Sequence, residues 1–134
     1  MKRYLLDTNH VYAAIQPVSK LRDRVRQTIR RGISVGTCIP ALCETEMGIQ
    51  GTAHLKERRR VLTEFLTYVK IWPMNRLSAE AYGEVALEAK AMGRVLSQVD
   101  LMLAALARIE KLTIVTTDKD FAAFPDIAKE NWLT

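Results

Sequence analysis

Short apolar segments alternate with longer amphipathic segments along the chain. Four apolar runs have the length of strands, at residues 3–6, 33–35, 71–74 and 113–115. Between them, apolar residues recur at intervals of three and four, which is the period of a helix with one buried face. This alternation predicts an α/β fold in which a short parallel sheet lies between layers of helices.

The amphipathic segments predict six helices and one shorter turn of helix. Gly32 is expected to end the second helix, because glycine readily adopts the backbone conformation found after a helix C-terminus. Ser78 and Ser97 are predicted as N-caps of the last two helices, since a serine hydroxyl accepts hydrogen bonds from a first helical turn. The predicted helices cover a segment that ends at residue 16, residues 19–31, 40–50 and 54–70, and segments that begin at 78 and 97; a turn or short helix covers 118–124.

Composition predicts one cytoplasmic domain over residues 1–134. The chain has 134 residues, of which 49% are hydrophobic and 26% charged, and contains no linker-like segment. Its apolar runs are too short for a signal peptide or a membrane-spanning helix. The two cysteines, Cys38 and Cys43, have no second pair and no neighbouring histidine to complete a zinc site, so free thiols are expected.

A net charge of +5 and a pI of about 9.4 are compatible with binding to a polyanion. Two predicted helical segments, residues 20–31 and 56–60, carry much of this positive charge. Each segment is interpreted either as a solvated helix face or as a surface that contacts a partner. Charge alone leaves nucleic-acid binding open.

Four carboxylates are expected to meet at one edge of the predicted sheet. Asp7 and Asp118 directly follow strands, Glu44 lies early in the helix after the second strand, and Asp100 lies in the first turn of a buried helix. In open parallel sheets, sites form beyond the carboxyl ends of the strands. Each acid also has a local explanation as a cap, a turn residue or a solvated helix residue.

Such a cluster predicts a divalent cation, Mg²⁺ with Mn²⁺ as a substitute. Neighbouring carboxylates repel one another unless a cation lies among them, and hard cations prefer oxygen ligands. RNA cleavage without metal would need a histidine pair, but only His10 and His54 are available. His54 is expected on a helix surface. His10, three residues from Asp7, is expected in a partly buried packing role, with contact to the site as the alternative, so hydrolysis by metal-activated water is favoured.

The segments that carry the four acids resemble those of the PIN-domain nucleases, specifically the VapC-type toxins of bacterial toxin–antitoxin pairs. They read Leu-Leu-Asp-Thr-Asn at 5–9, Glu-Thr-Glu-Met-Gly at 44–48, Asp-Leu-Met-Leu-Ala-Ala at 100–105 and Ile-Val-Thr-Thr-Asp-Lys-Asp-Phe at 114–121. The ending Glu-Asn-Trp at 130–132 is also similar. The resemblance covers nearly the whole chain.

This resemblance implies a three-layer α/β/α sandwich and Mg²⁺-dependent endonucleolytic cleavage of RNA, with transfer RNA or another structured RNA as substrate. It also implies a homodimer and a cognate antitoxin that occludes the site. Arg94 matches a basic position suited to phosphate contact, with a solvated loop charge as the alternative. The matching catalytic residues are Asp7, Glu44, Asp100 and Asp118, which would also bind the metal, with Asn9 and Thr116 as polar support.

Three alternatives stay open at this point. A phosphotransferase of the haloacid-dehalogenase type needs a second aspartate two residues after the first, where this chain has Asn9. An RNA-processing PIN nuclease without an antitoxin would share the same site. A non-catalytic RNA-binding module would be favoured if an acid were missing, and none is. Within the last acidic segment, Asp118 is predicted to face the metal and Asp120 to serve the turn.

Overall fold

A five-stranded parallel sheet forms the centre of the computed structural model, which describes residues 1–133. Its strands are β1 (Tyr4–Leu6), β2 (Val35–Thr37), β3 (Lys70–Ile71), β4 (Thr113–Val115) and β5 (Lys129–Glu130). They lie in the order β3, β2, β1, β4, β5, and all four pairings are parallel. The chain therefore begins in the middle of the sheet and extends it in both directions.

Helices cover both faces of the sheet. They are α1 (Thr8–Ala14), α2 (Lys20–Arg30), α3 (Ile39–Gln50), α4 (Leu55–Phe65), α5 (Arg76–Ala91) and α6 (Gln98–Glu110), with a 3₁₀ helix at Lys119–Ala123. Leu5 and Ile114 pack in one core layer with α5 and α6. Leu6 and Val115 pack in the other, with α1, α2 and α4. The predicted α/β/α sandwich is confirmed, because successive strand residues point to opposite faces.

The second strand lies two residues later than predicted. Gly36, which interrupts the apolar pattern, occupies the middle of β2 and pairs with Leu5. A Cβ atom at Gly36 would lie 2.5 Å from the indole nitrogen of Trp72, whose N–H donates to the Tyr4 carbonyl at 2.9 Å. The glycine therefore gives the buried indole access to the backbone of the central strand.

The two edge strands also differ from the prediction. β3 ends at Ile71 rather than residue 74, because Pro73 has no N–H with which to continue the ladder. β5 was not predicted at all. Its backbone is held by the N–H groups of Ile114 and Thr116, which donate to Ala128 and Glu130 at 2.9 and 2.8 Å.

Helix ends follow local capping, with two corrections. The prediction of Ser78 as an N-cap is wrong: Asn75 caps α5, and Ser78 completes a capping box with reciprocal bonds of 3.2 Å. The fourth helix ends at Phe65, five residues before the predicted end, because the chain turns there to enter β3. Ser97 caps α6 as predicted.

The remaining fold-level predictions concern the cysteines and the membrane. Both cysteines are free thiols, with Cys38 buried and Cys43 exposed, as predicted. Within residues 1–133, no helix combines the length and the apolarity that crossing a membrane would require.

Candidate active site

A pocket of about 300 Å³ lies at the carboxyl edge of the sheet. All four acids identified in the sequence contribute to its wall, and they come from four different parts of the fold. The wall is formed by Asp7, Thr8, Asn9, Glu44, Ser97, Asp100 and Asp118. The structure therefore brings the predicted quartet together where parallel α/β folds form their sites.

Asp7 connects β1 to α1 and is only 4% exposed. Its Oδ1 accepts the backbone N–H of His10 at 2.9 Å, which makes Asp7 the N-cap of α1. The same oxygen lies 2.8 Å from His10 Nδ1. The backbone N–H of Asp7 donates to the Val115 carbonyl at 3.1 Å. The capping role that was one alternative for Asp7 thus coexists with its place in the pocket.

Glu44 lies in the second turn of α3, opposite the first turn of α1. The hydroxyl of Thr8 donates to the Glu44 carboxylate. The two helices approach closely because α3 has a glycine at the contact: a Cβ atom at Gly48 would lie 2.9 Å from Cε2 of Tyr12. Gly48 therefore permits the spacing at which the second acid reaches the pocket.

Asp100 lies in the first turn of α6, where its backbone N–H donates to the Ser97 hydroxyl at 3.1 Å. Burial, reinforced by the charges of Asp118, Asp7 and Glu44, raises the pKa of Asp100 to about 6. A hydrogen bond from Ser97 opposes this rise and only partly offsets it. The four carboxylates are thus close enough to disfavour ionisation of one member.

Asp118 follows β4 and caps the 3₁₀ helix. Its Oδ1 accepts the backbone N–H of Asp120 at 2.8 Å, and its own N–H donates to the Thr116 hydroxyl at 3.0 Å. Thr116 is buried, lies outside the pocket wall, and contacts the site through this bond to the backbone of Asp118. Asp120 lies outside the wall, with Oδ1 3.4 Å from Nη1 of Arg94.

Asn9 and Arg94 occupy different places relative to the pocket. Asn9 is exposed and contributes to the wall. Arg94 lies outside the wall, on the loop between α5 and α6, and its side chain is 40% exposed. Its pairing with Asp120 brings it next to the segment that carries Asp118.

Part of the basic surface of α2 contributes to folding contacts. Nη1 of Arg22 donates to the carbonyls of Ala14 and Gln16 at 2.8 and 2.6 Å. The guanidinium of Arg24 lies 4.4 Å from the centre of the Trp132 ring. These arginines tie α2 to the end of α1 and to the C-terminal segment, so the face is more than a row of solvated charges.

The two histidines are far from equivalent. His54 is exposed immediately before α4, in agreement with its predicted surface position. His10 is fully buried, so the expected partial burial is wrong, and its contact with Asp7 agrees with the alternative of a residue that touches the site. Thr8 and Ser97 were not predicted as wall residues. The only available signals were the position of Thr8 directly after Asp7 and the capping pattern at Ser97.

The donor set of the pocket suits a hard divalent cation. It consists of carboxylate, amide and hydroxyl oxygens, the ligands that Mg²⁺ and Mn²⁺ prefer. Lysine and arginine ion pairs in residues 1–133 involve other acids: Glu46, Glu64, Glu88, Asp120, Asp126 and Glu130. In the same part of the chain, no three His, Cys, Asp or Glu side chains form a ready-made cage. The four acids therefore share one pocket without forming a closed set of ligands.

Fold and pocket together define an α/β/α protein with an acidic site at the carboxyl edge of a parallel sheet. The model of the PIN domain matches residues 4–127, and the chain belongs to that family. The resemblance found in the four acidic segments is confirmed.

Similar proteins cover almost the full length of the chain. It is 25% identical to ribonuclease VapC2 of Rickettsia felis, over 96% of this chain and 97% of that protein. It is 24% identical to ribonuclease VapC2 of Haemophilus influenzae, over 99% and 100%. The crystal structure of Rickettsia felis VapBC2 bound to a promoter DNA fragment contains a chain of the same fold, with a TM-score of 0.86, 24% identity, and coverage of 97% and 98%.

Proposed function

We propose that this protein is a Mg²⁺-dependent endoribonuclease and the toxin of a toxin–antitoxin pair. The observation that carries the proposal is the convergence of Asp7, Glu44, Asp100 and Asp118 in one pocket, to whose wall no lysine or arginine of residues 1–133 contributes. Membership of the PIN family and the ribonuclease names of similar proteins support the choice of RNA as substrate. Residues 1–134 act as one nuclease domain in this proposal.

The four carboxylates are proposed to hold the cation, with Mn²⁺ able to replace Mg²⁺. When bound, such an ion neutralises charge on a scissile phosphate and activates a water molecule. Asn9 presents its amide in the pocket wall, and Thr116 fixes the backbone of Asp118 at 3.0 Å. Both residues thus serve the orientation of substrate, water or carboxylate.

The arrangement of the histidines argues against a metal-free mechanism through an RNA 2′-hydroxyl. That chemistry needs an acid and a base that both reach the substrate. His10 is fully buried with both ring nitrogens in hydrogen bonds, and His54 lies before α4, outside the pocket wall. The acidic pocket is therefore the better candidate for the reacting centre.

The same proposal includes an RNA substrate, a second copy of the chain and an antitoxin as partners. Arg94 contacts a phosphate of the RNA, which is a transfer RNA or another structured RNA in the cytoplasm. An antitoxin that covers the pocket is proposed because similar folds occur in VapBC complexes, including one from Salmonella typhimurium bound to DNA with a TM-score of 0.82. The homodimer is proposed from the family resemblance alone.

The chemistry is tested on the ends of the RNA products. Cleavage by activated water is expected to leave 5′-phosphate and 3′-hydroxyl ends, to require added Mg²⁺ or Mn²⁺, and to stop in excess chelator. The Asp7→Asn variant, purified in the same way, controls for contaminating nuclease. Cyclic phosphate ends, or full activity in chelator, would contradict the proposal. Mapping of the cut sites across total RNA then identifies the substrate.

The toxin role is tested separately in cells. Expression of the wild-type chain alone is expected to arrest growth, and co-expression of the antitoxin or the Asp7→Asn change is expected to relieve the arrest. Normal growth with confirmed expression of active, folded protein would favour an RNA-processing nuclease without an antitoxin. RNA binding without cleavage under all metal conditions would favour the non-catalytic alternative.

A further inference from the structure

His10 is a fully buried imidazole whose two ring nitrogens both have hydrogen-bond partners. Nδ1 lies 2.8 Å from Asp7 Oδ1, and Nε2 lies 3.2 Å from the backbone nitrogen of Trp132. A buried polar ring without such partners would be costly, so both contacts constrain its chemistry.

The partner at Nε2 determines the tautomer of the ring. The backbone nitrogen of Trp132 can only donate, so Nε2 must accept and must carry no proton. The proton of the neutral ring is then on Nδ1, where it donates to Asp7 Oδ1.

The two carboxylate oxygens of Asp7 differ in their hydrogen-bond partners. Oδ1 accepts both the backbone N–H of His10 at 2.9 Å and the ring Nδ1–H at 2.8 Å. Within residues 1–133, Oδ2 accepts no hydrogen bond from the chain, and Asp7 contributes to the pocket wall. The two bonds from His10 therefore fix the carboxylate through Oδ1, and Oδ2 is available to a ligand.

The C-terminal segment holds the imidazole in place. Trp132 is buried, its ring centre lies 4.8 Å from that of Tyr4, and its indole N–H donates to Glu130 at 3.0 Å. Glu130 belongs to β5, which pairs with β4. The position of the Trp132 N–H is thus set by the sheet itself, 122 residues away from His10 along the chain.

We propose that His10 is a positioning residue: its Nδ1–H, held by the Trp132 backbone, orients Asp7 so that Oδ2 faces a divalent cation in the pocket. The inference rests on the proposed function in that Asp7 is taken as a metal ligand. Outer hydrogen bonds of this kind fix the direction and the basicity of a ligating group.

The tautomer is tested by long-range ¹H–¹⁵N correlation spectroscopy on the ¹⁵N-labelled wild-type protein without metal. His10 is expected to show a protonated Nδ1 and an unprotonated Nε2. The exposed His54 provides an internal reference with averaged tautomers. A proton on Nε2 of His10 would overturn the inference, and this measurement needs no variant and no metal.

Metal affinity is tested by titrating Mn²⁺ and measuring free Mn²⁺ by electron paramagnetic resonance. His10→Leu keeps the bulk of the side chain but removes the donor, and it is expected to weaken Mn²⁺ binding about 10-fold or more. His10→Asn places an amide N–H close to the position of Nδ1, and it is expected to remain within about threefold of wild type. His54→Leu is the control and should change nothing.

The outcomes distinguish failure of the proposed function from failure of the positioning role of His10. Absence of Mn²⁺ binding by the wild type, or unchanged binding by Asp7→Asn, would count against the proposed function. Normal Mn²⁺ binding by a folded His10→Leu variant would overturn the positioning role alone. Thermal melts establish that each variant is folded. If neither His10 variant folds, the tautomer of the wild type decides the question.

Discussion

The charged side chains at the two ends of α6 have opposite surroundings. At its N-terminal end, Asp100 shares a pocket with three other carboxylates, and burial with these charges raises its pKa to about 6. At its C-terminal end, Arg108 forms two bonds to Glu88, of 2.6 and 2.8 Å, and two to Asp126, both of 2.9 Å. Hydrogen bonds from Arg108 lower the pKa of both of these carboxyl groups.

The helix dipole does not explain this contrast, because it favours an acid at the first turn and a base at the last. Both ends satisfy that preference. The difference lies in the countercharge: Arg108 joins α6 to α5, whereas no lysine or arginine of residues 1–133 lines the pocket around Asp100. One end therefore contributes to folding, and the other carries the carboxylates that we propose to hold a cation.

The largest expected effect concerns the acidic end and separates two neighbouring acids. Asp118 contributes to the pocket wall, whereas Asp120 lies outside it and contacts Arg94. Asp118→Asn removes a charge but keeps the shape, and it is expected to slow single-turnover RNA cleavage by ~100-fold or more at fixed Mg²⁺. Asp120→Asn is expected to retain most of the activity.

Thermal melts of both variants are the control for this comparison. Asp120 donates its backbone N–H to Asp118, a contact that the change to asparagine leaves in place. Asp120→Asn should therefore melt near the wild type, with a small loss at most. An inactive Asp120→Asn variant with a normal melt would show that the fourth acid of the site is Asp120.

At the basic end, the expected effect is on stability and not on catalysis. The Arg108 side chain is 19% exposed, and Arg108→Met keeps much of its apolar stem but removes four charge-assisted bonds. We expect a loss of about 1–3 kcal/mol in the free energy of unfolding. Urea denaturation measures this loss. RNA cleavage by the folded variant at low temperature should match wild type. A specific loss of turnover would contradict the assignment of Arg108 to stability alone.

Asp100→Asn should have the opposite effect on stability. The pKa of Asp100 is about 6 in the folded chain, against 3.8 for an ordinary aspartate, so the ionised group destabilises the folded state. The cost is fully present above pH about 6 and disappears as the pH falls towards about 4. We expect the variant without metal to gain about 1–2 kcal/mol at neutral pH, a value discounted for the remaining exposure of the group.

Urea denaturation as a function of pH, with chelator present, checks the Asp100→Asn prediction. The difference between variant and wild type should shrink as the pH falls from about 6 to about 4. The same variant should lose most of its RNA cleavage and most of the stabilisation that Mg²⁺ gives the wild type. A variant that is less stable than wild type at neutral pH would mean that the pocket tolerates the charge of Asp100 without strain.

The contrast also shows which features were predictable from sequence. Helices with strong local signals, such as Ser97 before α6, were predicted correctly. The edge strands were predicted less well: β3 was placed at 71–74 instead of Lys70–Ile71, and β5 was missed. These two-residue strands are exposed and half-buried respectively, so burial leaves little pattern in their sequence. They are fixed by backbone hydrogen bonds to the neighbouring strands, and a hydrophobicity pattern carries no information about those bonds.

For the site, the positions of the acids relative to predicted strands and helices could be read from the sequence, whereas contacts between distant residues could not. The four acids were predicted to meet because each directly follows a strand or lies early in a helix at one sheet edge. The contact of His10 with Trp132 joins residues 122 positions apart, and it depends on β5. The fit of Gly48 against Tyr12 likewise depends on how closely two helices approach, which neither residue type specifies.

The smallest expected effect concerns Arg94, the basic residue next to the acidic end. Its ion pair with Asp120 has a distance of 3.4 Å and side chains that are 40% and 37% exposed, so it is weak and leaves the guanidinium available to a phosphate. In the Asp118→Asn background, which prevents cleavage, Arg94→Gln is expected to lower RNA affinity a few-fold. It should also reduce the slope of log affinity against log salt by about 0.7 if the contacted RNA is single-stranded.

The matched control is Arg60→Gln, because Arg60 is also exposed and paired with an acid but lies on α4. An effect of Arg60→Gln alone would assign the phosphate contact to the basic face of α4, and equal slopes for both variants and the parent would remove Arg94 from the RNA-binding surface.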